Sequence, residues 1–178
     1  YQLPAIILSD LLISDETSTI NPDLLDMHPV IDRGELITEA GDEADNYERY
    51  KFTDSGISPR ALPGIPGYEP VVSSDEHMPN GVLISDEYTH PHKRRAMMEK
   101  RQRKMGGLLD DLPPPVIVGD SNAEVTLVGW GSTAGVIQEA IEQLATAGVV
   151  ANHLHFKWIV PFHADEAVEL LSSCKRTI

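Results

Sequence analysis

Cysteine is nearly missing from these 178 residues: Cys174 stands alone near the C-terminal end. A single thiol closes no internal disulfide and suits a reducing compartment. Nor can it supply the four thiolates that an iron–sulfur cluster usually takes. Long apolar runs are missing as well. None approaches the roughly 18 residues that a membrane-spanning helix requires, and the run Leu3 to Leu8 is too short and too poor in bases for a signal peptide. Bases are scarce. Fourteen Lys and Arg face 28 Asp and Glu, giving a net charge of −14 and a pI near 4.7. That balance argues against a sequence-independent nucleic-acid binder, which needs basic surface to displace counterions.

What is present suffices for a folded protein. Hydrophobic residues make up 41% of the chain, and three amphipathic segments exclude wholesale disorder. The length suits one domain or a piece of two. Because the chain opens on Tyr1 and stops at Thr177 and Ile178 in mid-pattern, we read it as an internal piece of a longer polypeptide.

Charge is unevenly placed. Residues 1–50 hold twelve acids and only two bases, Arg33 and Arg49, whereas residues 93–104 hold seven of the fourteen bases. An acidic surface keeps any subunit soluble, and it is also the compositional habit of proteins that work in high salt. Both readings stand.

Three textures follow one another. Residues 3–9 form a short apolar run without alternation, the pattern of a buried strand. Residues 11–121 are mostly irregular, and their loop at 57–67 packs three Pro and two Gly, which favours a fixed rather than a loose conformation. Within this stretch the spacing predicts a basic helix over 93–105. Met97, Met98, Met105 and Leu108 make its apolar stripe, the bases fill its other faces and pair with nearby acids, and Gly106-Gly107 ends it. The Pro113-Pro114-Pro115 run then marks an extended linker.

Residues 122–178 are the most legible. Glu124 to Trp130 reads as a strand. Ser132 can cap a helix with Val136, Ile137, Ala140, Ile141 and Leu144 on its apolar face, and Gly148 sits at a suitable terminating position. Val149 to Trp158 reads as the next strand. Asp165 and Glu166 occupy the first turn of a second helix with Ala167, Val168, Leu170 and Leu171 behind, and residues 176–178 begin another strand. Strand–helix–strand–helix–strand with short connections predicts a parallel α/β sheet.

Few patterns here carry chemistry. Gly129-Trp130-Gly131-Ser132-Thr133 lies between a strand and a helix, where backbone N–H groups can hold phosphate. It lacks both the third glycine of the dinucleotide fingerprint and the Walker lysine, so a tight, closely packed turn is the simpler reading. His77, His90, His92, His153 and His155 invite a metal, but no spacing among them matches a known site. No GxSxG elbow is present, and Cys174 reads as structural. Arg49 and Arg60 stand out, because an arginine fork on a fixed loop can grip a carboxylate bidentately. Tying the loop to neighbouring acids is the competing role for both.

The run Tyr47-Glu48-Arg49-Tyr50-Lys51-Phe52-Thr53-Asp54-Ser55-Gly56-Ile57-Ser58-Pro59-Arg60-Ala61-Leu62-Pro63-Gly64 resembles a signature of the alpha subunit of 2-oxoacid:ferredoxin oxidoreductases, especially the 2-oxoglutarate type. Pro4 to Asp10, Asp75-Glu76-His77, Glu99-Lys100-Arg101, Val128 to Thr133 and His153 to Trp158 with Pro161-Phe162 agree with it in order. The resemblance implies oxidative decarboxylation of a 2-oxoacid with coenzyme A in a cytoplasmic complex. Thiamine diphosphate with Mg would supply the chemistry, and iron–sulfur clusters on partner chains, a beta subunit among them, would pass electrons to ferredoxin. It further implies that residues 1–10 are the last strand of a pyrimidine-binding thiamine domain and 11–121 an interdomain segment. Residues 122–178 would then be part of a transketolase C-terminal-like domain. The family's catalytic motifs precede Tyr1, so no catalytic residue, cofactor-binding residue or metal ligand is assigned, and this chain alone is expected to be inactive. Arg49 and Arg60 are the substrate-loop candidates. The choice between 2-oxoglutarate and pyruvate is not legible here. Two other classes stay open: a non-catalytic assembly module, and a nucleotide-binding domain using Gly129 to Thr133.

Overall fold

Asp10 opens the first helix. Its carboxylate accepts the Ile13 N–H at 2.9 Å, and α1 (Leu11–Asp15) follows. The computed structural model describes residues 1–84 and 90–178, in two compact units, Tyr1–Lys104 and Met105–Ile178. Part of the predicted irregular segment, at 85–89, lies outside the described residues.

The first unit has little regular structure. Two short strands, β1 (Leu36–Ile37) and β2 (Arg60–Ala61), pair in parallel, and the residues of α2 (Pro91–Asp111) up to Lys104 supply its one long helical stretch among the described residues. The strand expected at 3–9 is not formed: these residues belong to no element, and Ile6, Ile7 and Leu8 are 82%, 93% and 90% exposed. A strand is stabilised by cross-strand neighbours, and no described strand pairs with this run.

The Pro/Gly loop is fixed, as its composition predicts. Tyr47 Oη accepts the Ala61 N–H at 3.1 Å and donates to the Pro59 carbonyl at 3.3 Å, and its ring lies 5.1 Å from that of buried Tyr68. Thr53 Oγ1 donates to the Ile57 carbonyl, and Ser58 Oγ to the Lys51 carbonyl. Farther on, Gly81 sits at φ +85° with the Val71 carbonyl oxygen where a Cβ would stand. Only glycine fits there.

Helix α2 corrects the sequence reading in two ways. It does not stop at Gly106-Gly107, since neither glycine takes positive φ, and it runs to Asp111, just ahead of Pro113. Proline bars the α conformation in the residue before it, which sets the end better than a glycine pair whose propensity cost is about 1 kcal/mol each. Its buried line is Met97, Lys100 and Lys104, while Met98 is exposed. The bases therefore do not all face water. Arg101 meets an acid, Glu76, at 2.9 Å, but Lys100, Arg103 and Lys104 meet uncharged oxygens of Ser58, Thr53 and Tyr1.

The second unit is the expected α/β sheet with one addition. Strand β3 (Ile117–Gly119), within the segment read as irregular, pairs antiparallel with β5 (Ala151–Phe156), which pairs in parallel with β4 (Val125–Trp130). Residues 176–178 bridge the free side of β4 in parallel, with Thr126 N–H to the Arg176 carbonyl at 2.8 Å and Ile178 N–H to the Thr126 carbonyl at 3.0 Å. Central β5 is the most covered strand, with Ala151 to Leu154 all buried.

Helix α3 (Ala134–Thr146) is entered through a 3-10 turn at Gly131–Thr133, and Ser132 does not cap it. Its end does follow expectation. Gly148 takes φ +79°, its N–H meets the Ala145 carbonyl at 3.0 Å, and Val149 N–H meets the Leu144 carbonyl at 3.0 Å, a Schellman motif. The apolar face of α3 is narrower than predicted, because Val136 is exposed; Val168 is likewise exposed on α4 (Ala164–Ser173), where Ala167 is buried. Gly129 packs against α3: a Cβ there would collide with Ile137 Cδ1 and lie 2.8 Å from Thr133 Oγ1. Among the described residues no helix is long and apolar enough to cross a membrane.

Candidate functional site

Strand β2 carries Arg60 to the rim of a cleft. The backbone of β2 is held on both sides, by Arg60 N–H to the Glu35 carbonyl and Leu62 N–H to the Ile37 carbonyl, and Tyr47 Oη clamps the same turn. Arg60 and Arg49 line one cavity of about 400 Å³ together with Arg33, Tyr47, Ala61, Leu62, Pro63, Tyr68 and Pro70. The two arginines singled out by the sequence thus converge. Arg33 was not singled out, although it is the other base of residues 1–50.

None of the three is held as a loop tie. No described carboxylate pairs with Arg33, Arg49 or Arg60, the Arg60 Nε is buried without a hydrogen-bond partner, and Arg49 rests 5.2 Å above the Tyr50 ring centre. Tyr50 stacks on His77 at 3.7 Å, and His77 is buried. Burial holds His77 below its usual pKa, so it is neutral at pH 7.

Behind Arg49 stands more positive charge. Burial first, and then Lys104, Arg49, Arg101 and Arg103, push the Lys100 ammonium down to about 8. Lys104 is lowered by burial, then by Arg49 and Arg101. Helix periodicity put these lysines on solvent faces, so sequence reasoning missed the buried cations. The signal available was the spacing Met97, Lys100, Lys104, which is one helical face.

The other candidates do not join this cleft. His90 and His92 are exposed, with ring centres 5.6 Å apart. His153 and His155 share a face of β5 at 5.0 Å, as their alternation predicts. His155 lines a separate cavity of about 200 Å³ with Pro113 to Val116, Phe156 to Trp158 and His163. Cys174 is half-buried, with Sγ 3.2 Å from the Leu170 carbonyl, as a structural thiol would be. Among the described residues no three His, Cys, Asp or Glu side chains are grouped to hold a metal.

Known proteins match the chain along its whole length. It is 34% identical over all its residues to 2-oxoacid:ferredoxin oxidoreductase 2, subunit alpha, of Aeropyrum pernix, and takes up 27% of that protein. Over 93% of its residues it is 30% identical to the 2-oxoglutarate oxidoreductase subunit KorA of Mycobacterium tuberculosis, of which it takes up 24%. The solved 2-oxoglutarate:ferredoxin oxidoreductase from Magnetococcus marinus, with 2-oxoglutarate, coenzyme A and succinyl-CoA bound, superposes on 78% of the chain. It does so at 28% identity and a TM-score of 0.62, over 24% of that solved chain. No family model matches. The chain is thus homologous to part of an oxidoreductase subunit. More narrowly, its homologues are alpha subunits of 2-oxoacid:ferredoxin oxidoreductases, and it spans about a quarter of the length of the curated relatives it matches.

Proposed function

We propose that this chain is part of the alpha subunit of a thiamine-dependent 2-oxoacid:ferredoxin oxidoreductase, with 2-oxoglutarate as the expected substrate. Such an enzyme decarboxylates the 2-oxoacid, transfers the acyl group to coenzyme A and delivers two electrons to ferredoxin through a beta subunit. Similarity along the whole of this chain, over about a quarter of an alpha subunit, is the observation that supports the reading.

Bound thiamine diphosphate serves as the electron sink for decarboxylation. Thiamine diphosphate and its Mg belong to the intact complex in this reading, and no residue of this chain is assigned to them. The single half-buried Cys174 does not suit an iron–sulfur cluster, and the clusters are likewise assigned to other chains of the complex. We assign residues 122–178 to part of a transketolase C-terminal-like domain, whereas residues 1–10 form no strand and lend no support to the pyrimidine-binding assignment. The mixed sheet of residues 117–178 supports the transketolase-like assignment.

In this reading residues 49–64 front the active-site entrance, where Arg49 and Arg60 draw in an anionic reactant while the Tyr47 clamp keeps β2 in place. The nucleotide-binding alternative loses ground, because Gly129 is needed for packing against Ile137 and so has a structural reason to be glycine. Removing one charge-assisted contact costs about 1.5–3 kcal/mol, so Arg60→Ala in the intact complex should lower kcat/KM for the 2-oxoacid about 10–100-fold. Unchanged steady-state kinetics toward 2-oxoglutarate and pyruvate would sink the entrance role.

A further inference from the structure

In a chain of net charge −14, a cleft lined by three arginines and, among the described residues, no acid needs a reason. Like charges lining one cavity repel, and the buried Arg60 Nε without a partner forfeits a hydrogen bond, so this arrangement costs stability. Among the described residues no acid sits in the lining, although the chain carries 28.

We infer that the Arg33–Arg49–Arg60 cleft is a binding site for a phosphate-bearing organic ligand. Three observations set the chemistry. One guanidinium fork satisfies one carboxylate, whereas three forks suit a tetrahedral oxyanion of charge −2 or more, for which arginine is the preferred partner. Tyr47, Tyr68, Leu62, Pro63 and Pro70 supply apolar and ring-faced walls, which fit the body of an organic phosphate better than a bare inorganic ion. The volume of about 400 Å³ lies within the range of small-ligand sites and is small for a folded partner segment. Tyr47 Oη is already spent on Pro59 and Ala61, so it contributes shape and position rather than a ligand hydrogen bond.

Lys100 and Lys104 reinforce the field from behind. Arg49 is close enough to disfavour the charge on both lysines, so an anion held at Arg49 relieves a repulsion that the protein otherwise carries. The inference holds whether or not the cleft fronts an active site, since its test is equilibrium binding rather than turnover.

The test uses the full-length protein. Inorganic pyrophosphate, adenosine diphosphate and succinate are titrated by calorimetry at one ionic strength. Pyrophosphate and adenosine diphosphate are expected to bind at least about 10-fold tighter than succinate, with adenosine diphosphate the tighter of the two because its body meets the rings. Arg33→Gln should weaken both phosphate probes about 10–100-fold, by the worth of a charge-assisted contact. Arg33 is exposed on an irregular segment, so this variant keeps the fold even where Arg60→Gln does not. Displacement of pyrophosphate by coenzyme A identifies the reaction's own phosphate carrier as the ligand. Simultaneous binding of both identifies a separate phosphate compound, and either result supports the site. Equal affinity for all three probes, or an Arg33→Gln protein that binds phosphate as the parent does, overturns it.

Discussion

Replacing Lys100 by Met should stabilise the first unit at neutral pH, against the usual expectation for deleting a buried hydrogen bond. Lys100 is 4% exposed, and its Nζ donates to Ser58 Oγ at 2.5 Å. Ser58 Oγ keeps its own acceptor, the Lys51 carbonyl, whatever stands at position 100. The fall of the ammonium from 10.5 to about 8 corresponds to about 3 kcal/mol of unfavourable charge burial at pH 7. The lost hydrogen bond returns about 1 kcal/mol of that, leaving Lys100→Met ahead by about 2 kcal/mol. The sign depends on pH. Below pH 8 both folded and unfolded chains hold the proton, and the cost is present in full. Between pH 8 and 10.5 the folded chain has released it while the unfolded chain has not, so the parent gains stability as pH rises. The advantage of the variant should shrink to about nothing by pH 9.5 and turn into a deficit of about 1 kcal/mol above 10.5, where only the hydrogen bond counts. Urea-dependent hydrogen exchange of the α2 amides, corrected for intrinsic rates and compared at pH 7 and 9.5, measures the difference locally. A variant less stable than the parent at pH 7 refutes the reasoning, because Lys100 would then have a counter-charge that the described residues around it do not supply.

Two further outcomes follow from the same unit. Gly81→Ala adds a Cβ into the Val71 carbonyl at φ +85°, so it should cost about 3 kcal/mol or more and raise hydrogen exchange across residues 71–84. A variant as protected as the parent there would show that the 71–81 approach is looser than described. Burial depresses the His77 pKa below 6.5, so the folded chain takes up this proton later than the unfolded chain as pH falls. Stability supplied by neutral His77 is full above pH 6.5 and declines as acid is added below it; His77→Gln should flatten that slope between pH 7 and 5. An unaltered slope assigns the acid sensitivity to other groups.

The second unit was legible and the first was not, for one physical reason. In residues 122–178 local signals and tertiary burial agree: Gly148 ends α3 in the left-handed conformation, and β4 and β5 form inside their apolar runs, β5 shorter than its run by two residues at each end. In residues 1–121 the structure rests on side-chain-to-backbone bonds across loops, such as Tyr47 to Ala61 and Arg103 to Thr53, which have no sequence period. The extent of α2 was misjudged because two glycines cost less than the packing and the distant proline decide. Lys100 and Lys104 were misplaced because hydropathy does not register a lysine stem that buries its ammonium against hydroxyl and carbonyl oxygens. Arg49 and Arg60 were found because they stand beside the Pro/Gly loop. Arg33 was not, since only the parallel pairing of β1 with β2 brings its segment near.

Net charge and local field have opposite signs in this molecule, and the distance scale decides which one a ligand meets. At about 0.15 M salt the screening length is near 8 Å, so acids farther than that are largely hidden from an anion at the cleft mouth, while Glu35, Asp42, Glu43 and Glu48 line a cavity that shares Tyr47 and Tyr68 with it. The arginines lining the cleft act within contact distance and are hardly screened. At about 0.01 M the screening length reaches some 30 Å, and the −14 of the whole chain opposes the approach of the same anion. Anion association should therefore quicken as salt rises from low values and slow only when salt competes inside the cleft itself. A basic nucleic-acid binder shows the reverse at low salt, with affinity falling from the first addition. The acidity that argues against nucleic acid thus also filters ligands: it disfavours long polyanions, which must lie across the acidic surface, and leaves the cleft to anions small enough to enter it.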